Sequence, residues 1–424
     1  MVNHRIMSSS LMRILPGLIL FALLGEPVCA QNPVSSPYAM FGIGDIDYRD
    51  YGRTDGLGST GIGLSSPKYL NNLNPASYSS LELKAFVFEI SAREKTVTYR
   101  DNYNAAQYGS DLNFEKIAFG FRASRIWTTG AGIKPFSTVD YGVTTQNYVI
   151  GSPDIFTTIN NGNGGLTNLY WVNALNIGKH LSAGISSSFL FGSINQSEQL
   201  QGGFSQDTLT ALQTSFMRGV YLQGGLQYQN ILNKHLAYRV GVVYSLKTNL
   251  RTDNNTLLEG STGDTLKNLS AMIGNTTLPE YYGVGFSLIS NDKLTLAGDY
   301  KSYRWSPLKI ESSGTSLVNS SRYSMGIEYA IFTPNTNNYL ERYVFQGGAY
   351  YENSYLKINN EQLTGYGLTL GVSFPNRDNT LYFNAGFEAG RRGTIGNGLI
   401  EENYFLLKLN IVIKSLWFIR LKNY

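Results

Sequence analysis

The stretch Tyr366-Gly367-Leu368-Thr369-Leu370-Gly371-Val372-Ser373-Phe374 decides the fold. Its odd partners in the pattern (Tyr366, Leu368, Leu370, Val372 and Phe374) are all apolar. The residues between them are Gly, Thr, Gly and Ser. Successive side chains of a strand point to opposite faces, so one face here is greasy and the other small and polar. Residues 405–413 repeat the design, with Phe405, Leu407, Leu409, Ile411 and Ile413 against Lys408 and Asn410. So do residues 236–246, where Leu236, Tyr238, Val240, Val242, Tyr244 and Leu246 oppose Arg239, Gly241, Ser245 and Lys247.

Working outward, the same period predicts strands at 83–93, 115–124, 129–147, 166–179, 181–198, 215–230 and 235–249. It predicts others at 280–290, 293–304, 321–333, 343–352, 362–374, 379–391 and 402–414, fourteen in all. The connections at 94–114, 148–165, 199–214, 250–279, 305–320, 353–361 and 392–401 are long and polar. Those between them are mostly short: Arg125–Thr128, His180, Ile231–Lys234, Asn291-Asp292 and Pro375–Asp378, with a longer one near 334–342. Short periplasmic turns alternating with long extracellular loops characterise outer-membrane barrels, whereas a soluble sandwich has no reason for strict alternation. The expected fold is therefore all-β: a 14-stranded antiparallel transmembrane β-barrel over 83–418, with both chain ends in the periplasm.

Composition agrees. Of 424 residues only 15% are charged, against 45 Gly and 30 Tyr. A low charge content suits a wall half buried in lipid, and glycine and tyrosine suit close-packed strands with aromatic girdles. No helical period appears outside the first thirty residues. There Arg5 and Arg13 precede the apolar run Leu15–Leu24, too short to span a bilayer, and Val28-Cys29-Ala30 offers a cleavage site before Gln31. Residues 1–30 thus read as a signal peptide, directing the chain to the outer membrane of a Gram-negative bacterium. Cys29 would leave with it; a lipoprotein reading of Cys29 is weaker, because Pro27 and Val28 occupy positions that call for small residues. Loss of Arg5, Arg13 and Glu26 moves the formal charge from +4 to +3, and the scattered cations argue against nucleic acid.

Residues 31–82 are rich in Gly, Ser, Asn and Pro with little alternation. They read as an N-terminal plug (hatch) in the bore, or as an ordinary leader into the barrel. At the other end, Leu416-Trp417-Phe418 closes the last strand in aromatic fashion, a signal suited to barrel-insertion machinery or a simple interfacial anchor. A basic periplasmic tail, 419–424, follows.

Asn74-Pro75-Ala76, the fourteen inferred strands, and Gly390-Arg391-Arg392-Gly393-Thr394 with Glu402-Asn403-Tyr404-Phe405 together resemble the FadL/TodX family of outer-membrane transporters. Ser36-Pro37-Tyr38, Phe41-Gly42-Ile43-Gly44 and Gly61-Ile62-Gly63-Leu64 resemble a divergent, largely uncharacterised branch of it. The resemblance implies passive uptake of hydrophobic small molecules, fatty-acid-like or aromatic. A substrate would enter an apolar pocket, be released by movement of the hatch, and leave through a lateral opening at a kinked third strand.

Pro135 sits in the middle of the third expected strand. Proline lacks an N–H, and a closed barrel offers no free edge to hide the loss. Either the strand kinks and opens there, or Pro135 lies harmlessly at the rim.

By the alternation Glu89, Arg93, Lys116, Arg122, Lys134, Asp140 and Arg239 face the bore, as do Asp299, Lys301, Glu328, Glu388, Arg392 and Lys408. An Arg or Lys in lipid costs about 2–4 kcal/mol at the midplane, which directs them inward. Pairing among themselves and with the plug is one reading. A polar path or an anchor for an acidic head group, with Lys134 and Arg239 as candidates, is the other. Tyr38, Met40, Phe41, Leu70, Leu73 and Tyr78 either line an apolar pocket or pack the plug onto the wall.

Catalytic and cofactor chemistry finds no footing. His180 and His235 occupy matching turns without a Ser and Asp at useful spacing, and no Cys/His cluster suggests a metal. Gly56-x-Gly58 and Gly61-x-Gly63 precede no helix. The expectation is a non-enzyme with no cofactor. Its partners are membrane lipids, the insertion machinery, and either a hydrophobic ligand or other envelope proteins. The alternative to transport is a non-transporting barrel subunit or scaffold of an outer-membrane complex, its bore salt-bridged and filled.

Overall fold

The computed structural model describes residues 36–102, 105–148, 155–202, 208–308, 315–331, 343–376 and 378–417. The expected signal peptide and basic tail lie outside them. The wall is one antiparallel sheet closed on itself as a 14-strand barrel. Its strands are β1 Ala85–Arg100, β2 Gln107–Arg122, β3 Trp127–Tyr148, β4 Ile155–Ile177, β5 Leu181–Gly202 and β6 Thr208–Asn233. Next come β7 (Leu236–Ser245 with Thr248–Glu259), β8 (Thr265–Leu278 with Tyr281–Ser290) and β9 Leu294–Tyr303. The last five are β10 (Thr315–Leu317 with Ser320–Ala330), β11 Val344–Ile358, β12 Glu361–Pro375, β13 Leu381–Arg392 and β14 Glu401–Leu416. Closure is by β14 on β1, in register from Glu401↔Arg100 to Leu416↔Ala85.

Each strand expected from the period-2 pattern has one counterpart, and on β12 the faces fall as read: Leu368 and Leu370 are exposed outside while Thr369 is buried. An unbroken outer surface of Ile117, Phe119, Trp171, Ile185, Phe189, Val242, Phe286 and their like suits acyl chains.

The long connections are shorter than expected because the strands run on into them. β7 and β8 meet in a hairpin around Gly260–Asp264, and β11 and β12 are joined by Asn359-Asn360, both at positive φ. Asn tolerates the left-handed region that a two-residue hairpin turn needs. Beyond the lipid zone neither face must be apolar, so the alternation disappears while the ladder continues. β8 is interrupted between Leu278 and Tyr281, where Pro279 can donate no ladder bond.

Residues 36–84 contain three short 3-10 helices, Pro37–Met40, Asp55–Leu57 and Pro75–Ser80, and a two-residue strand, Asp45–Ile46. Ser36 and Asn74 cap the first and third, each accepting the amide two residues on, with Pro at the first helical position. This segment packs on the inward face of the wall. Tyr38, Ala39, Ile43 and Ile46 share an apolar cluster with Val139, Leu166, Leu190, Met217 and Leu250, while Leu70, Tyr78 and Leu81 share another with Val87, Ala118 and Val172.

Candidate functional site

The interior where segment 36–84 meets the wall is the candidate site. Its first ingredient is steric. Inward-facing glycines let the segment's backbone touch the backbone of the strands. A Cβ on Gly225 of β6 would lie 2.2 Å from Asn74 Oδ1, and one on Gly184 of β5 would lie 2.5 Å from the Pro75 carbonyl carbon. Gly241 faces Ile62 in the same way, Gly348 faces Gly58, and Gly371 faces Gly56. The Asn74-Pro75-Ala76 turn is therefore seated on glycines. Asn74 Nδ2 donates to the carbonyls of Ile62 (2.9 Å) and of Leu226 on β6 (3.1 Å), and its Oδ1 accepts the Ala76 amide at 3.0 Å.

The second ingredient is charge. Each candidate lumenal residue meets the N-terminal segment. Glu388 binds Arg49 at 3.0 Å and Lys408 at 2.6 Å, and Lys408 lies 3.7 Å from Asp55. Glu89 pairs with Lys116 at 2.8 Å and accepts the Leu70 amide at 2.7 Å, while Lys116 reaches Asp50 at 3.4 Å. Arg93 pairs with Glu115 at 2.8 Å and donates to the Tyr51 hydroxyl at 3.4 Å. Arg392 meets Asp45 at 2.9 Å, and Glu328 takes Arg53 Nε at 2.9 Å.

Asp299 accepts two successive amides, Gly61 at 2.7 Å and Ile62 at 3.0 Å. Lys301 donates to Ser59 O at 3.1 Å, Lys134 to Arg49 O at 3.5 Å, Arg122 to Leu81 O at 3.1 Å, and Arg239 to Ser65 O at 3.3 Å. Asp140 departs from the expectation: beyond the slip after Pro135 it alternates with the inward Val139 and Tyr141, and it meets the segment only through its backbone, its carbonyl accepting the Ser36 amide at 3.3 Å.

Sequence reading named wall residues alone, without Glu115, Arg322 or Glu352, and none of the charges of the segment. Asp45, Asp47, Arg49, Asp50, Arg53 and Asp55 supply partners, and the signal was there in the density of charge, six charged residues of both signs within 45–55. Within the segment, burial would raise the Asp47 carboxyl, but Arg49 and Arg93 outweigh it and hold it down at about 2. Burial dominates at Asp55, whose carboxyl is pushed up to about 6.

Pro135 lies inside β3, not at its rim. The ladder between β2 and β3 runs only from Arg122↔Thr128 to Ile117↔Ile133. Past that point the β3 edge is taken by the segment: Asp45 and Ile46 pair with Thr138 and Ser137, and the Asp47 amide donates to Phe136 O at 3.2 Å. On the β4 side the register slips between Pro135 and Ser137. A one-residue slip exchanges the faces of a strand, and Val139 and Tyr141 accordingly enter the interior cluster.

The spaces between segment and wall beside Pro135 and Tyr303 are small. One of about 90 Å3 is lined by Pro135 together with charged groups such as Arg49, Arg93, Glu115 and Arg392. Another of about 80 Å3 is aromatic, with Tyr48, Phe136, Tyr221, Tyr281, Tyr303 and Trp305 around it. Wider cavities of about 420 and 440 Å3 lie at the short-turn end. Tyr38, Leu70, Leu73 and Tyr78 are buried against the wall, and Met40 and Phe41 pack partly buried against the cluster that holds Tyr38. His180 and His235 each bridge to the next turn, at Gln229 O (2.9 Å) and Asn291 Oδ1 (2.7 Å). Among the described residues no cluster of His, Cys, Asp or Glu is arranged to hold a metal.

Comparison with known proteins fits this architecture. The structure of the toluene transporter TodX of P. putida superposes with a TM-score of 0.60 at 15% identity, covering 88% of this chain and all of that one. The toluene transporter TbuX of Ralstonia pickettii gives 0.53 at 16%, over 89% and 99% of the two chains. A FadL homologue of Pseudomonas aeruginosa gives 0.58 at 11%, over 88% and 100%. No curated protein matches the sequence. At such identities the likeness establishes a FadL-type outer-membrane barrel fold and nothing finer. The BamG family profile, however, matches residues 13–423, almost the entire sequence, and the chain belongs to the BamG family.

Proposed function

We propose that this barrel is a non-transporting subunit or scaffold of an outer-membrane protein complex, with residues 36–84 acting as a fixed plug. The observation that carries the reading is the continuous interlock of plug and wall. Glu388 meets Arg49, Lys408 meets Asp55, Lys116 meets Asp50 and Glu89 takes the Leu70 amide, and all four wall side chains are at most 1% exposed. Removing one member of such a buried pair strands the other at a cost of about 3–5 kcal/mol, so moving the plug as a unit is expensive. The spaces beside Pro135 and Tyr303, about 90 and 80 Å3, are small beside ordinary ligand pockets, which run from roughly 300 Å3 upward. The larger one of about 440 Å3 between segment and wall lies at the short-turn end, away from Pro135. Membership of the BamG family, whose designation points to barrel assembly, supports an association with other envelope proteins.

A second reading is favoured by one observation, the interrupted ladder at Pro135. In it, hydrophobic small molecules pass through the aromatic space beside Tyr303 and leave sideways between β2 and β3 after the plug shifts. The toluene-transporter fold of TodX and TbuX supports it by analogy.

Native purification followed by lipid extraction and mass spectrometry separates the two. Stoichiometric partner proteins and no bound hydrophobic compound support the subunit; a stoichiometric hydrophobic compound without partners overturns it in favour of uptake.

A further inference from the structure

Inside the barrel Lys134 and Lys301 bond carbonyl oxygens, and a larger set of cations is matched by carboxylates. Lys116, Arg93, Arg392, Lys408 and Arg53 all face carboxylates. At the short-turn end the pattern stops. The cavity of about 420 Å3 there is lined by Arg122, Arg125, Lys179 and Arg239, and no carboxylate lines it. None of the salt bridges among the described residues uses any of these four.

Two of the four are held in place by neutral groups. Arg122 donates to the carbonyls of Leu81 (3.1 Å), Ser124 (3.2 Å) and Arg125 (2.5 Å). Arg239 donates to Ser65 O and Gln229 Oε1, both at 3.3 Å. These bonds orient the guanidinium groups without neutralising them. Asp292 acts on Arg239 from the β8–β9 turn, but it lines the adjoining cavity. Arg125 and Lys179 stand exposed on the β2–β3 and β4–β5 turns. Ser65, Pro67, Ser79 and Ser80 of the plug form the remaining lining.

We propose that this basin is a docking site for an acidic segment of a partner protein, two or more Asp or Glu side chains entering between the four cations. The inference rests on the subunit reading and names the chemistry of its partner. Guanidinium groups with fixed planes suit carboxylates, which they take in paired hydrogen bonds. The cavity lies within the ring of strands, bounded by plug residues and by the inward Arg122 and Arg239, so a phospholipid head group in the surrounding bilayer does not reach it. Its volume and its spread over two turns and the neighbouring ends of β6 and β7 exceed what one small anion fills.

The test uses the full-length protein in zwitterionic detergent and fluorescein-labelled hexaglutamate, followed by fluorescence anisotropy. Binding should appear and should weaken by about tenfold or more in the double variant Arg125→Glu/Lys179→Glu, since reversing charges at a docking site turns attraction into repulsion. Lys357→Glu, at the far end of β11, should leave it unchanged. Absence of binding overturns the proposal. So does an equal loss with Lys293→Glu on a turn outside the basin, which would mark a diffuse basic rim. Displacement by an equimolar amount of inorganic phosphate overturns the peptide as occupant, and binding seen only with phosphatidylglycerol nanodiscs transfers the site to lipid. Partners that co-purify with wild type and double variant alike sink this docking site and spare the subunit reading; hexaglutamate binding without any co-purifying partner does the reverse.

Discussion

Arg49 and Glu388 stand 3.0 Å apart inside the barrel, one from the N-terminal segment and the other from β13, and Glu388 is simultaneously the partner of Lys408 at 2.6 Å. A single carboxylate thus neutralises one cation of the N-terminal segment and one of the wall. Tyr350 adds a hydrogen bond to the same carboxylate at 2.7 Å.

Replacing Glu388 by Ala leaves two buried cations with one anion removed, and the cost should be about 3–5 kcal/mol. Urea unfolding in lipid vesicles, read by tryptophan fluorescence, measures it. Arg49→Ala should act more locally: hydrogen exchange should rise over residues 45–57 while the strands keep their protection. A rise confined to β13 and β14 would mean that the pair does not hold the plug.

The glycine contacts give a sharper steric prediction. Gly225→Val should lift the Asn74-Pro75-Ala76 turn off the wall, because even a Cβ there would sit 2.2 Å from Asn74 Oδ1. Its neighbour Gly224 looks the other way, with nothing nearer than Tyr244 O at 4.0 Å, so Gly224→Ala should be tolerated. Limited proteolysis of residues 65–80 checks both. Equal resistance in the two variants would remove the close approach from the account of how the plug is seated.

Acidity should tighten the plug through Asp55. Its carboxyl, ordinarily at 3.8, is raised to about 6 on the seated segment because burial outweighs the help of Lys408 and the Gly52 amide. The seated state therefore holds the proton more firmly than the released state. This contribution is full below pH about 4 and is lost as the pH climbs through about 6, a change of up to about 3 kcal/mol. Asp47 has the opposite sign, but held at about 2 it matters only in stronger acid. Protection factors of the Gly52–Leu57 amides, corrected for intrinsic exchange, should fall between pH 4 and 7 in the wild type. In Asp55→Asn they should stay flat.

How far the amino-acid sequence spoke for itself differs between the wall and residues 36–84. Leu368 and Thr369 announce their faces because lipid tolerates one and not the other, and every strand with a lipid-facing stretch was legible for that reason. Thr248–Glu259 and Thr265–Leu278 pair as strands without an apolar stripe, since water meets both sides there, and they read as loop. Among the charges, Glu388 and Asp299 could be placed inside by what lipid forbids. Their partners Arg49 and Gly61 could not, because residues 36–84 have almost no repeating backbone pattern and owe their shape to the wall they touch. The bulge after Pro135 was readable as a disruption; that Ile46 repairs the strand edge was not.

That repair offers a way to separate a fixed plug from a moving one. Ile46 and Ser137 are direct partners across an antiparallel pair, a spacing of about 4.5–5.5 Å between Cα atoms that a disulfide can bridge. With Ile46→Cys and Ser137→Cys in a Cys29→Ala background, oxidation should fasten the segment to β3 beside Pro135. For a fixed plug, locking changes nothing: partners should co-purify from oxidised and reduced cells to the same extent, because Asp45–Ile46 already occupies that edge. For uptake between β2 and β3, the lock closes the exit, and accumulation of a radiolabelled aromatic hydrocarbon in cells making this barrel should drop on oxidation and recover with a reductant. Reversible loss of accumulation, with cross-linking verified by gel shift, would therefore sink the fixed-plug reading, since a strand edge that never opens cannot be closed any further.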